Sequence, residues 1–212
     1  MIFNSMIVKI LPDSISDFVG EINAVLLYWI WRKNGCAVPP PHLAKQYVIN
    51  EYRERFSVDI LVETGTYKGA TIQSQLNNFK KIISIEVADC LYQQAVEKFK
   101  KRSHVKLYLG DSGVVLKTIL SNLGAPALFW LDGHYSGGVT GRGVLDTPIK
   151  AEMETIYESK FRHIVLIDDA RLFDGKNGYP ELTEFEKWAT FGKKYEFVVK
   201  DDIIRLTPSH ID

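Results

Sequence analysis

Cysteine is nearly absent from this chain: Cys36 and Cys90 are the only two in 212 residues. No CxxC pair or Cys/His cluster accompanies them, which argues against a disulfide framework and against a thiolate zinc site. Charge of one sign is missing too, because 26 basic residues balance 26 acidic ones. A protein that grips nucleic acid must neutralise phosphates, so the lack of a basic excess points away from nucleic-acid partners. Long hydrophobic runs are also lacking. The most apolar stretch, AVLLYWIW at 24–31, is far short of the roughly 20 residues that span a bilayer. It reads best as a buried helix face, with peripheral membrane contact as the other option. The N-terminus, MIFNSMIVKILPDS, has no basic region followed by a long apolar stretch, so no signal peptide is expected and a cytoplasmic location is the default.

The residues that are present follow an order. SISD at 14–17 is a Ser-x-x-Asp pattern able to cap a helix that runs to about residue 33 and stops at Gly35. Pro39, Pro40 and Pro41 precede a second helical pattern, HLAKQYVINEYRERF, and proline is well tolerated at a helix start. Residues 1–56 therefore read as an N-terminal helical extension, and residues 57–212 as one α/β domain. In that domain five apolar runs recur: VDILVET, KIISIEV, VKLYLGD, ALFWLDG and HIVLIDD. Helical stretches over 70–79, 91–101 and 112–123 lie between them. Runs that are apolar throughout and alternate with helices predict a parallel sheet covered on both faces. YEFVVKDDIIRLTP at 195–208 predicts an antiparallel hairpin on the sheet edge. The expected architecture is a Rossmann-like, doubly wound, mostly parallel sheet of seven strands.

Four of the five runs end on an acid: Glu63, Glu86, Asp132 and Asp168; the remaining one ends in Gly110-Asp111. Ligands of open parallel sheets bind beyond the carboxyl ends of the strands, so these ends form one acidic, glycine-rich rim. After the first run, ETGTYKG has glycines at 65 and 69, which permit a tight turn and a close approach to the helix. It is neither GxGxxG nor GxxxxGK[ST], so neither a dinucleotide nor a P-loop nucleotide is its obvious guest. A carboxylate at position 63 repels phosphate and attracts an ammonium or sulfonium; a plain strand-to-helix turn is the other reading. Glu86 can accept hydrogen bonds from ribose hydroxyls or simply face solvent. Asp111 and Ser112 can sit beside an adenine, cap the helix that follows, or do both.

From about residue 58 to 208 this sequence resembles class I S-adenosylmethionine-dependent methyltransferases. ETGTYKG resembles that family's first motif, Glu86 its ribose-binding acid, and Asp111-Ser112 its adenine-side position. The resemblance implies S-adenosyl-L-methionine as cofactor, held by Glu63, Thr64, Gly65, Thr66, Tyr67, Gly69, Thr71, Glu86, Asp111, Ser112 and Asp132. FWLDGHYSGG and IVLIDDARLF place Asp132 and the pair Asp168-Asp169 at strand exits. There they are similar to the metal ligands of the catechol O-methyltransferase group and of bacterial small-molecule or sugar O-methyltransferases. Asp132, Asp168 and Asp169 are hard oxygen donors suited to Mg²⁺. Alternatively Asp132 contacts the cofactor, the pair caps a loop, and Arg171 relieves the mutual repulsion of the carboxylates.

His134 can take a proton from an acceptor hydroxyl or position the acceptor. SGGVTGRGVLDTP at 136–148, flanked by Tyr135 and carrying Arg142 and Asp146, suits a polar substrate lid, with FDGKNGYPEL as the opposite wall. The expected reaction is O-methylation of a small polar acceptor, such as a sugar or glycan precursor, with His134, Asp132 and Arg171 at the chemistry. The N-terminal helices either close over the site or form a homodimer interface. A metal-dependent hydrolase or hydroxylase-like enzyme is the first rival. A non-catalytic domain that binds a nucleoside metabolite is the second. An NAD(P) oxidoreductase ranks lower because the first glycine loop has the wrong spacing.

Overall fold

The computed structural model describes residues 13–133, 148–192 and 195–209. In chain order these form α1 (Asp13–Lys33), α2 (His42–Phe56), β1 (Ile60–Thr64), α3 (Ala70–Gln75), β2 (Lys81–Glu86), α4 (Asp89–Phe99), β3 (Val105–Leu109) and α5 (Ser112–Ser121). They continue with β4 (Leu128–Leu131), α6 (Ile149–Tyr157), β5 (Ile164–Ile167), a 3-10 turn (Ala170–Leu172), α7 (Leu182–Thr190), β6 (Tyr195–Lys200) and β7 (Ile203–Pro208). The seven strands make one sheet in the order β3-β2-β1-β4-β5-β7-β6. β1 to β5 run parallel, and β7 pairs antiparallel with both β5 and β6. The sequence predicts this sheet, down to the terminal hairpin.

Apolar residues on alternate positions of each strand point to opposite faces, and each face has its own core. Val62, Phe129, Val165 and Leu206 pack with Leu116 of α5, Met153 of α6 and Phe185 of α7. Leu61, Ile82, Trp130 and Leu166 pack on the other side with Ile49 of α2, Ile72 of α3 and Phe99 of α4. Consecutive strand pairs spread outward from β1 in one direction and from β4 in the other. The boundary between these adjacent strands is the topological switch point, where the crevice opens.

Helix α2 belongs to the second core, since Ala44, Val48, Ile49 and Tyr52 are all buried. Helix α1 differs from expectation. The face expected to be buried meets α2 through Tyr28, whose ring stands edge-on to Tyr47 at 5.0 Å, and Ala24, Tyr28 and Trp31 are only half-buried. Ile22, Val25, Leu26, Leu27, Trp29 and Ile30 stay exposed, at 44–57% of their accessible surface. A helix that is apolar all round cannot bury every side against a single neighbour. Helix α3 also stops earlier than its pattern suggests, at Gln75. Just beyond it the Asn78 amide donates to Gln75 Oε1 and to Asn50 Oδ1, which ties the turn after the helix to α2.

Asp201 and Asp202, both at positive φ (53° and 62°), turn the chain between β6 and β7. Two successive left-handed residues match the right-handed twist of a tight hairpin. Asp202 also reaches out of the hairpin: its carbonyl accepts from the Ala170 N–H at 2.8 Å, and Oδ1 accepts from the Arg171 N–H at 2.8 Å. The hairpin is thereby tied to the loop after β5.

If α2 is part of the core, truncating it should cost as much as truncating a strand residue. Ile49→Ala is expected to lower unfolding free energy by about 2–5 kcal/mol, whereas Leu27→Ala on exposed α1 should stay within about 0.5 kcal/mol. Urea unfolding midpoints at constant m-value test the contrast.

Candidate functional site

The parallel hydrogen-bond ladder continues past the strand ends. Gly65 N–H donates to Ile85 O at 3.0 Å, Asp132 N–H to Thr64 O at 3.1 Å, Asp168 N–H to Leu131 O at 3.0 Å, and Gly110 N–H to Glu86 O at 2.9 Å. Residues that leave the sheet are therefore held in register for one step more. This brings the acids at the exits of β1, β2, β4 and β5 along one edge.

Gly65 sits at φ +86°, and a Cβ there would meet the Asp132 carbonyl oxygen at 2.5 Å. Gly69 sits at φ +68°, where a Cβ would meet the Phe99 ring at 2.6 Å. Both glycines are required by backbone conformation and by close approach, which is what keeps β1, β4 and α4 tight around the loop.

Glu63 is 2% exposed. The Ser84 hydroxyl donates to its Oε2 at 2.6 Å and meets the Thr66 hydroxyl at 2.6 Å. Burial pushes Glu63 up to about 8; hydrogen bonds from Ser84 and Thr71 oppose the rise, and the charges of Asp132 and Glu86 add to it. Those charges can act only because all three acids are neighbours. Glu86, also buried, accepts from the Tyr67 N–H at 2.8 Å and the Ala88 N–H at 2.9 Å, one on each oxygen. Its carboxylate is fixed in place, and each oxygen retains a second lone pair. Asp111 is the N-cap of α5, accepting from the Gly113 N–H at 2.9 Å, with Ser112 buried beside it. Thr64, Thr66 and Thr71 are buried and Tyr67 is exposed.

One carboxylate oxygen from each of Asp132, Asp168 and Asp169 lies within 4.8 Å of the others. Two cations already hold this cluster. Lys45, in the first turns of α2, donates to Asp168 Oδ2 and lies 3.7 Å from Asp169 Oδ1. Arg171 donates to Asp169 Oδ1 at 2.8 Å and also to Asp202 Oδ2. Burial alone would lower the Lys45 pKa, but the charge and hydrogen bond of Asp168, with Asp132 and Asp169 behind, outweigh it and raise it. Burial raises Asp168, and the Lys45 ammonium opposes the rise. His42, one turn before Lys45, is lowered by burial and by the nearby ammonium. The first turns of α2 thus lie over the crevice. As donors the three carboxylates suit a hard divalent ion. As a charge arrangement they fit one poorly, because Lys45 and Arg171 already engage Asp168 Oδ2 and Asp169 Oδ1.

A narrow recess of about 10 Å³, room for about one water, adjoins the cluster, lined by Gly133, Glu152, Asp168 and Tyr179 among others. Tyr179 comes from FDGKNGYPEL, which forms part of its wall. Glu152 of α6 is 1% exposed, and a Cβ at Gly133 would meet its Oε1 at 3.5 Å. Sequence reasoning missed Lys45, Asp202, Glu152 and Ser84. Ser84 carried a faint signal, a polar residue inside the apolar run KIISIEV. His134, Tyr135, Arg142 and Asp146 lie outside the described residues. Larger depressions, such as that lined by Lys117, Thr155 and Lys160, contain none of the acidic strand ends.

No protein-family model and no curated protein matches the sequence. Solved structures do match. The S-adenosylhomocysteine-bound methyltransferase PaMTH1 of Podospora anserina is 17% identical, with 94% of this chain and 98% of that one covered at a TM-score of 0.57. The O-methyltransferase TomG of Streptomyces achromogenes, in complex with S-adenosylmethionine, is 12% identical over 88% of this chain and 89% of its own, at 0.54. An O-methyltransferase of Bacillus cereus bound to S-adenosylhomocysteine is 9% identical over 87% and 90%, at 0.55. At these identities the likeness is one of fold.

The buried acid of β1 gives a pH test. Glu63 takes up a proton on folding at neutral pH, so its contribution favours the folded state fully below its ordinary 4.5 and fades as pH rises towards about 8. Glu63→Gln, which has no charge to bury, should melt higher than wild type at pH 8.5, by about 2–4 °C per kcal/mol relieved. The two proteins should converge at about pH 4 and below. A gap of the same size at both pH values would mean that Glu63 is ionised throughout.

Proposed function

We propose, from the class I methyltransferase fold that this chain shares with those proteins, that it is an S-adenosylmethionine-dependent methyltransferase acting on the oxygen of a small polar acceptor. The observation that carries the reading is the convergence of Glu63, Glu86 and Asp132 around Gly65, at the switch between β1 and β4. A glycine loop beside three carboxylates suits a ligand that is cationic at one end and carries hydroxyls at the other. It does not suit a phosphate-bearing dinucleotide.

When bound, the cofactor supplies a methyl group already activated by its sulfonium. The protein then contributes position and dryness. Glu86, braced by Tyr67 and Ala88, receives the ribose hydroxyls on its remaining lone pairs. Asp111 and Ser112 flank the adenine at the start of α5. Glu63, Thr64, Gly65, Thr66, Tyr67, Gly69 and Thr71 surround the methionine end, where a positive charge favours the ionised form of Glu63. Asp132 faces both cofactor and acceptor. The acceptor approaches over the rim at Gly133, Glu152 and Tyr179, where the polar side chains favour a hydroxyl-bearing compound such as a sugar. His134 takes the acceptor proton. Arg171, clamped between Asp169 and Asp202, keeps the loop after β5 in place.

The boundary at residue 56 separates the helical N-terminal pattern from the α/β pattern, while α2 itself packs into the second core and reaches over the crevice. The exposed apolar face of α1 supports a homodimer through the N-terminal helices, since patches of that kind on a monomer mark association surfaces. Balanced charge supports a small acceptor over nucleic acid, and a cytoplasmic setting agrees with the two free cysteines.

Calorimetry with S-adenosylhomocysteine should show saturable one-site binding. Glu86→Ala is expected to weaken it at least tenfold, in line with the ~1.5–3 kcal/mol of hydrogen bonds to a charged group. Absence of saturable binding to either S-adenosylhomocysteine or S-adenosylmethionine would sink the reading. Hydrolytic turnover untouched by Glu86→Ala would favour the metal-dependent rival.

A further inference from the structure

We propose that Lys45 is the resident cation of the aspartate cluster, standing where metal-dependent methyltransferases hold a divalent ion, so that this protein aligns its acceptor without metal. The second clause rests on the methyltransferase reading; the first stands on geometry alone.

The Lys45 ammonium donates to Asp168 Oδ2 and lies 3.7 Å from Asp169 Oδ1. The Asp168 side chain is wholly buried and Lys45 only 18% exposed, so the pair is shielded from bulk screening. A magnesium ion binds carboxylate oxygen at about 2.0–2.1 Å. Placed on Asp168 Oδ2, it would share that one oxygen with an ammonium already in hydrogen-bond contact. Two cations so close in a buried site repel strongly, so the ammonium weakens this oxygen as a metal ligand.

Lys45 is not an adventitious visitor. It projects from α2, whose neighbouring residues Ala44, Val48 and Ile49 are locked into the core, and α2 packs against both β4 and β5. Its approach is therefore set by tertiary packing rather than by a mobile loop. On the far side of the cluster, Arg171 holds Asp169 at φ +57°, a left-handed conformation uncommon for a residue with a side chain. Each aspartate of the pair thus has a cation of its own. An ammonium offers three N–H donors in a compact head. One is committed to Asp168, and Asp169 and Asp132 draw the head further into the cluster. Asp168 also lines the adjoining recess, so the ammonium fixes the carboxylate that an acceptor reaching the recess would meet. Lys45 is thereby a positioning residue for the acceptor, the task that a bound ion would otherwise perform.

Titration with Mn²⁺ alone, without cofactor or acceptor, tests the first clause. Wild type should show no saturable binding below about 1 mM, the weak end of cation affinities at oxygen sites. Lys45→Ala should bind at least tenfold more tightly, and adding Asp168→Asn should abolish the gain. Lys45→Arg, which keeps a cation, should remain without metal. Lys45→Met preserves the stem's packing and reports the same change should the alanine variant unfold. Wild-type binding as tight as that of Lys45→Ala would overturn the proposal, as would loss of wild-type methyl transfer to chelator. Because the Mn²⁺ titration needs no turnover, it stands even if S-adenosylmethionine proves not to be the cofactor.

Discussion

Carboxylates withdrawn from water must each be given a proton, a set of N–H donors or a cation, and this molecule gathers several of them along one edge of a sheet. All three remedies are in use. Glu63 is kept protonated by burial and by its acidic neighbours. Glu86 receives two backbone N–H groups. Asp168 and Asp169 receive Lys45 and Arg171. Stability is a small difference between large terms, and an uncompensated buried charge would consume much of it. The edge has therefore been constructed around its own electrostatics, which is how so many buried carboxyl groups can stand together before any ligand arrives.

The compensating groups come from far along the chain. Lys45 lies on the helix before the first strand, and Asp202 lies in the turn of the last hairpin. Asp202 has little apparent business at the site, but by holding the Ala170 and Arg171 N–H groups and the Arg171 guanidinium it fixes the loop that carries Asp169. The antiparallel hairpin thus serves as a brace as well as an edge. Helix α2 plays the matching part from the other side, contributing core residues on one face and Lys45 and His42 at its start.

The fold is common to proteins with different acceptors, so likeness at these identities carries no further than the fold itself. What separates this chain from a metal-dependent pattern is local. The three-aspartate arrangement that resembles a magnesium site is partly offset by Lys45, from a helix outside the motif, and by Arg171. A lysine in place of an ion changes the chemistry available: it supplies hydrogen-bond donors with fixed reach, without the coordination sites of a Lewis acid.

The amino-acid sequence by itself determined the succession of strands and helices, the parallel sheet with its terminal hairpin, and the acids at the strand exits. These follow from local periodicity, from glycine at left-handed positions and from the rule that apolar runs pair in a sheet. The identity of the partners was decided only by tertiary structure. Lys45 meets Asp168 across 123 residues, and nothing in HLAKQYV distinguishes it from the many lysines that face water. Glu152 likewise looks like one more polar residue of an amphipathic helix, yet it is buried at the recess. The exposed face of α1 was hidden by the same gap in local information: an apolar helix reads as buried, while how much of it is covered depends on how many neighbours reach it. Periodicity encodes which way a side chain points from its own element; which charge it then meets depends on how separate elements dock.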